Sequence, residues 1–140
     1  MTDNESINQH LVNTGVVVKE LKIGYTDTDK KIQFNTGAVR NSNNKLRMDL
    51  ITPEMESALA EVLTFGANKY GDRNYEKGIP VMNYIGSCKR HLNAFLRGID
   101  IDTDSKIEHI KLAFTNLGML ITTLERFPEL DDRPAYTQNK

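Results

Sequence analysis

The sequence predicts a mainly α-helical fold: a bundle of three to four helices preceded by a short N-terminal β-hairpin, assembled as an oligomer. Three observations carry that expectation. From Thr52 onward, apolar residues recur at spacings of three and four through three separate segments. Each segment is bounded by residues that start or stop helices, such as Thr52-Pro53, Pro80, Gly98 and Pro128. Period-2 alternation, the mark of a strand, is confined to the residues before Asn35.

Residues 1–14 are polar and aperiodic, which predicts a loose arm. Val17, Leu21, Ile23 and Tyr25 then fall on one side of an alternating pattern. TDTDKK supplies a turn, and Ile32 and Phe34 resume the alternation, so a hairpin is expected over Val16–Phe34. Asn35–Asn44 reads as a loop by composition. The expected organisation is an arm and hairpin over residues 1–36, a helical domain over 37–128, and a flexible tail over 129–140.

The first helix should begin at Thr52-Pro53. Threonine caps free N–H groups, proline suits the first helical position, and Glu54 and Glu56 complement the helix dipole. Met55, Leu59, Val62 and Leu63 give it a buried face. The second helix should cover Val81–Arg97, with Gly98 as its C-terminal cap and Met82, Ile85, Cys88, Leu92, Phe95 and Leu96 turned inward. For the third, Ser105-Lys106-Ile107-Glu108 has the spacing of a capping box. Ile107, Ile110, Phe114, Leu117, Ile121 and Leu124 then repeat along one side, while Leu112, Ala113, Met119 and Leu120 make the other sides apolar too. A helix apolar all round belongs inside a bundle or in an interface between copies, so a homo-oligomer is expected.

Lys plus Arg number 18 against 19 for Asp plus Glu, a net charge of -1. That balance argues against a surface for long nucleic acid, which needs a basic patch, but leaves room for a small nucleotide met by two or three local cations. Cys88 is the only cysteine, so no intrachain disulfide can form. The polar start MTDNESINQH has no apolar signal core, and no run is long enough to span a membrane. A cytoplasmic protein with no membrane partner is expected, in the host cytoplasm if the gene belongs to a phage.

The chemistry-bearing residues concentrate in GANKYGDRNYEKG, Gly66–Gly78. It sets Lys69, Asp72, Arg73, Asn74, Glu76 and Lys77 around Tyr70, Tyr75 and three glycines. Arginine can grip a phosphate through two hydrogen bonds and a tyrosine face can stack on a base; the same composition also suits a solvated loop. Glu61 lies seven residues after Glu54 on one helix face, where carboxylates can supply oxygen ligands to Mg²⁺. His91 suits a general base, a metal ligand or a satisfied half-buried histidine, and Arg90 points about 100° away from it around the helix. His109 and Asn116 share a face of the third helix; a buried Asn116 must find a partner, either a ligand or a neighbouring helix. Asp100, Asp102 and Asp104 alternate as at the start of a calcium loop, without the glycine and closing glutamate that loop requires.

A run of motifs adds a family likeness. TGAVR, Lys45-Leu46-Arg47-Met48-Asp49-Leu50, Leu59-Ala60-Glu61-Val62, GANKYGDRNYEKG, Arg90-His91-Leu92-Asn93-Ala94 and His109–Asn116 follow one another in order. Over this span the chain resembles the phage-borne dATP/dGTP diphosphohydrolase N-terminal-domain family. The resemblance implies an all-α, Mg²⁺-dependent pyrophosphohydrolase in the style of MazG-like enzymes, which convert a (deoxy)nucleoside triphosphate to the monophosphate and pyrophosphate. It implies Glu61, Glu76 and Glu108 as the Mg²⁺ ligands, with Glu61, Glu76 and His91 in catalysis. Arg40, Lys45, Arg47, Lys69, Arg73 and Arg90 become the phosphate candidates, Tyr70 or Tyr75 the base contact, and Asn74, Lys77, His109 and Asn116 further nucleotide contacts. The sequence departs from the MazG-type EExxE…ExxD signature: Glu54, Glu56 and Glu61 are spaced differently and Glu108 has no acid three residues on. Leu112 stands where some family variants carry a second histidine.

Two functions of different classes follow. The first is the pyrophosphohydrolase. The alternative is an anti-defence protein that binds without cutting, a sponge for a host immune signalling nucleotide such as a cyclic oligonucleotide or an ADP-ribose derivative. A purely structural helical oligomer would bind neither.

Overall fold

The structure is a computed structural model that describes residues 31–41 and 46–135. The chain forms two units, Met1–Leu50 and Ile51–Lys140. In the first, β1 (Lys31–Gln33) pairs antiparallel with β2 (Val39–Asn41), Lys31 opposite Asn41 and Gln33 opposite Val39. The Gly37 amide donates to the Phe34 carbonyl and the Phe34 amide to the Ala38 carbonyl, each at 2.8 Å. Gly37 closes this turn at φ +86°, a conformation that costs glycine little. Most of the hairpin expected over Val16–Phe34 lies outside the described residues. The pairing found corrects the expected loop at Asn35–Asn44, because Val39–Asn41 forms its second strand. A 3-10 turn, Met48–Leu50, follows, with Arg47 forked onto Asp49 at 2.7 and 2.6 Å.

The second unit is built from three helices: α1 (Pro53–Tyr70), α2 (Val81–Leu96) and α3 (His109–Arg126). α1 begins as its sequence predicts, with the Thr52 hydroxyl accepting the Met55 amide at 3.3 Å. α2 begins after Pro80, and Gly98 lies just beyond its end at φ +79°. α2 and α3 run side by side as the main packed pair, and α1 packs on α3. One apolar cluster joins Val62, Ile107 and Leu112, with Phe65 against it. The other joins Val81, Tyr84 and Leu120, with Ile79, Ile85 and Met119.

The faces chosen differ from those the periodicity favoured. On α2 the buried row is Val81, Tyr84 and Cys88, while Leu92, Phe95 and Leu96 are exposed. On α3 the buried residues include Leu112, Ala113, Thr115, Asn116, Leu120 and Thr123, and the stripe Ile110, Phe114, Leu117, Ile121 and Leu124 faces outward. The small residues on the inward side allow close approach of the helices, and the polar ones find partners on their own helix or on α2. Thr115 Oγ1 donates to the Lys111 carbonyl at 2.9 Å, and Thr123 Oγ1 donates to the Tyr84 hydroxyl at 3.4 Å.

The capping box is also corrected. α3 starts at His109, after Glu108, and Ser105 is committed to a turn with Asp102 instead. That turn is closed by an Ile101–Glu108 bridge, with the His109 amide donating to the Asp100 carbonyl at 2.7 Å. The alternation of aspartates there is turn chemistry: Asp102 accepts the Ser105 amide and hydroxyl, both at 2.8 Å.

After α3, a 3-10 turn at Pro128–Leu130 folds back. Leu130 and Phe127 cover Gly78, and Asp132 Oδ1 accepts the Met82 amide at 2.9 Å near the start of α2. The described part of the segment read as a tail thus makes packing and capping contacts. Among the described residues no helix is long and apolar enough to cross a membrane.

Candidate functional site

GANKYGDRNYEKG is only partly a loop. Gly66–Tyr70 form the last turn of α1, and Gly71 ends the helix at φ +93° while its amide donates to the Ala67 carbonyl at 2.8 Å. Arg73 then adopts a left-handed conformation, φ +56°, and Asn74–Lys77 make a 3-10 turn. This path swings the loop over one side of the helices and opens a cleft of about 990 Å³, at the upper end of the range for small-molecule sites.

The cleft gathers most of the predicted residues. Lys69, Tyr70, Arg73, Asn74, Tyr75 and Glu76 line it from the loop side, Arg90 and His91 from α2, and Asn116 from α3. Arg90 and His91 both reach it despite their angular separation, because the cleft is broad enough to take two faces of one helix. Asn116 is buried, and its amide donates to the Leu112 carbonyl of its own helix at 2.9 Å; it is therefore not a bond between helices.

Two of the cleft's cations, Lys69 and Arg73, are held by acids. Lys69 bonds Asp104 at 3.1 Å, which raises its pKa, and its ammonium lies 5.5 Å from the Tyr70 ring centre. Arg73 bonds Glu76 at 2.9 Å. Arg126, at the end of α3, holds the other Glu76 oxygen at 2.9 Å; that bond first, and Arg73 after it, lowers the Glu76 pKa.

Glu61, Glu76 and Glu108 do not converge. Lys111 bridges Glu61 at 2.8 Å and Glu108 at 2.6 Å, and these two carboxylates raise its pKa, Glu108 the more. Glu76 belongs to the separate pairing with Arg73 and Arg126. Only Glu76 of the three lines the cleft. Lys77 is exposed and outside it. Arg40 and Arg47 belong to the first unit, and Lys45 lies outside the described residues.

A different group of ligand-type atoms does converge. Among the described residues, His91, Asp102 and His109 bring one ligand atom each to within 4.8 Å of one another. The two Nδ1 atoms are 2.9 Å apart, so one ring donates to the other, and the ring centres are 5.2 Å apart. Burial first, and His109 second, push the His91 pKa below its usual 6.5, while Asp102 opposes them. The Asp102 carboxyl is held below the usual carboxylate value, first by the Ser105 amide. Sequence reading had His91 and His109 but missed Asp102 as their partner, and missed Lys111. The aspartate alternation was visible; that its middle member turns toward two histidines from other segments was not.

The family described as dATP/dGTP diphosphohydrolase, N-terminal, matches residues 35–133. A dATP/dGTP diphosphohydrolase from Salmonella phage PMBT28 is 27% identical over 95 residues, covering 68% of this chain and 32% of that protein. The chain therefore spans about a third of the length of this curated relative. No solved structure matches it. The cleft-lining motifs fall inside the matched span, and with most of its length so matched the chain belongs to the dATP/dGTP diphosphohydrolase N-terminal family.

Proposed function

We propose that the cleft binds a purine (deoxy)nucleoside triphosphate and that the protein hydrolyses it to the monophosphate and pyrophosphate. The observation that carries this reading is the meeting of Lys69, Arg73, Arg90, Tyr75 and His91 in one cleft of nucleotide size. It is supported by the family and by the name of the phage relative.

Arg73 and Arg90 offer paired N–H donors to phosphate oxygens, and Lys69 adds a point charge. Arg73, exposed over most of its side chain, exchanges its bond to Glu76 for the triphosphate. Tyr75 or Tyr70 lies against the base, and Asn116 meets a polar edge of the ligand. His91 is neutral at pH 7, since its environment disfavours the charged form, and it suits a role as acceptor or ligand. Water attacks the α-phosphorus, the bond to the β-phosphate oxygen breaks, and pyrophosphate leaves. A divalent ion, when bound, stabilises the charge that develops on the phosphoryl oxygens.

Mg²⁺ most readily enters on the triphosphate, since it binds through one or two carboxylates plus substrate phosphates. Glu76, the carboxylate among Glu61, Glu76 and Glu108 that lines the cleft, fits that mode. The exposed stripe on α3 supports assembly as a homo-oligomer.

The test is incubation with a nucleotide panel, with and without Mg²⁺, followed by chromatography of the denatured mixture. New monophosphate and pyrophosphate, lost on Arg90→Ala, is the expected result. Ligand retained by the native protein and recovered intact overturns hydrolysis in favour of the sponge. No retention and no turnover removes both.

A further inference from the structure

The His91–Asp102–His109 cluster has the composition of a transition-metal site. Two imidazoles and one carboxylate are a ligand set used by zinc, manganese and iron centres that keep positions open for water or substrate. Mg²⁺ and Ca²⁺ prefer all-oxygen surroundings, so the same set selects against them.

The spacing of the donor atoms suits one ion. Nitrogens 2.9 Å apart, each about 2.1 Å from an ion, subtend about 90° at it, the angle between neighbouring ligands of an octahedron; a tetrahedral site needs them about 0.5 Å further apart. Either arrangement requires the two rings to turn their Nδ1 lone pairs from each other toward a common point, giving up the shared hydrogen bond and its proton. The carboxylate is anchored as well. Both side-chain hydrogen bonds of Asp102 fall on Oδ2, from the Ser105 amide and hydroxyl, which leaves Oδ1 for a ligand role. Such outer bonds fix a metal-binding carboxylate in place.

The position is also suited to chemistry. His109 is buried, while His91 and Asp102 are half-buried and line the cleft, so an ion held here would turn its open positions toward a ligand. The His91 side chain comes from α2, Asp102 from the turn before α3, and His109 from the first residue of α3.

We propose that His91, Asp102 and His109 form a three-ligand site for one borderline divalent ion of the Zn²⁺, Mn²⁺ or Co²⁺ class, with its open positions facing the cleft. Occupation of the site needs no nucleotide, so it stands or falls apart from the hydrolase reading.

The probe is Co²⁺, titrated into the full chain after removal of metals by a chelator. The visible absorption of the bound ion and the histidine ring resonances are followed together. One equivalent should bind, shift the rings of His91 and His109, and be displaced by Zn²⁺ but not by millimolar Mg²⁺. Asp102→Asn can still accept the Ser105 hydrogen bonds, so it should keep the turn while weakening Co²⁺ binding at least tenfold. His109→Gln should weaken it further. Circular dichroism monitors folding of both variants, and Asp102→Asn decides the matter if His109→Gln does not fold. Absence of Co²⁺ or Zn²⁺ binding to the wild-type chain overturns the proposal, as does binding that persists unchanged in folded Asp102→Asn. If the ion binds as stated and no nucleotide is cleaved, the site stands and the hydrolase reading fails.

Discussion

The Nδ1 atoms of His91 and His109 lie 2.9 Å apart and tie α2 to the first residue of α3. Two cationic imidazoles could not share that hydrogen bond, so at least one ring is neutral in the folded protein.

A pH dependence follows. Burial and His109, with a smaller push from Arg90, lower the His91 pKa below the usual 6.5, against the pull of Asp102. The unfolded chain then takes up a proton near pH 6.5 that the folded chain resists. Stability from this group is therefore full above 6.5 and falls as pH drops below it, through the lowered folded-state value. Thermal unfolding between pH 8 and 5 should show the melting temperature falling in that window, with a shallower fall in His91→Gln. An equal fall in the variant would assign the effect to other groups.

Gly78 packs the end of the Gly66–Gly78 segment against the turn that follows α3. It sits at φ +92°, and a Cβ there would come within 2.7 Å of Leu130 Cδ1 and 3.1 Å of the Phe127 ring. Gly78→Ala should destabilise the folded state by about 1–3 kcal/mol through backbone strain and displacement of the Leu130 turn. Urea unfolding measures it. A loss near zero would show that the turn shifts without cost.

The outward stripe on α3 bears on assembly. Ile121 is 62% exposed and Leu117 44% exposed. If copies associate through this face, Leu117→Glu with Ile121→Glu should convert an oligomer to a monomer with unchanged helicity, as seen by sedimentation velocity. A wild-type chain that sediments as a monomer at all concentrations would refute the expected oligomer.

Arg90 bears on the ligand. Its guanidinium folds back along α2, where a Cβ on Gly86 would meet it at 3.4 Å. Arg90→Ala should weaken triphosphate binding about ten- to hundredfold, the scale of a lost charge-assisted hydrogen bond. The loss should be smaller for a nucleoside monophosphate. Calorimetric titration of both ligands distinguishes a phosphate contact from a general loss of the cleft.

Local signals made the helices legible. Thr52-Pro53, Pro80 and Gly98 act through caps and backbone limits within one turn, so α1 starts, and α2 starts and stops, near the expected places, while α1 runs on to Tyr70. The start of α3 was misjudged because Ser105 had two local uses, a helix cap or a turn with Asp102, and the turn prevailed. Face choice was harder to read. α3 is apolar on every side, so periodicity could not say which side meets α2; the row containing Ala113, Asn116 and Thr123 did.

The sequence by itself determined the helical framework and marked Gly66–Gly78, Arg90-His91 and His109–Asn116 as the candidate places for chemistry. Those conclusions need only backbone preference, side-chain type and spacing along the chain. Tertiary structure decided which of those groups meet. It tied Glu61 and Glu108 to Lys111, tied Glu76 to Arg73 and Arg126, and brought Asp102 to His91 and His109. Such meetings depend on how helices cross and where a turn points. The meeting of the two imidazoles depends on how α2 and α3 are rotated against each other, and no pattern within a single segment encodes that.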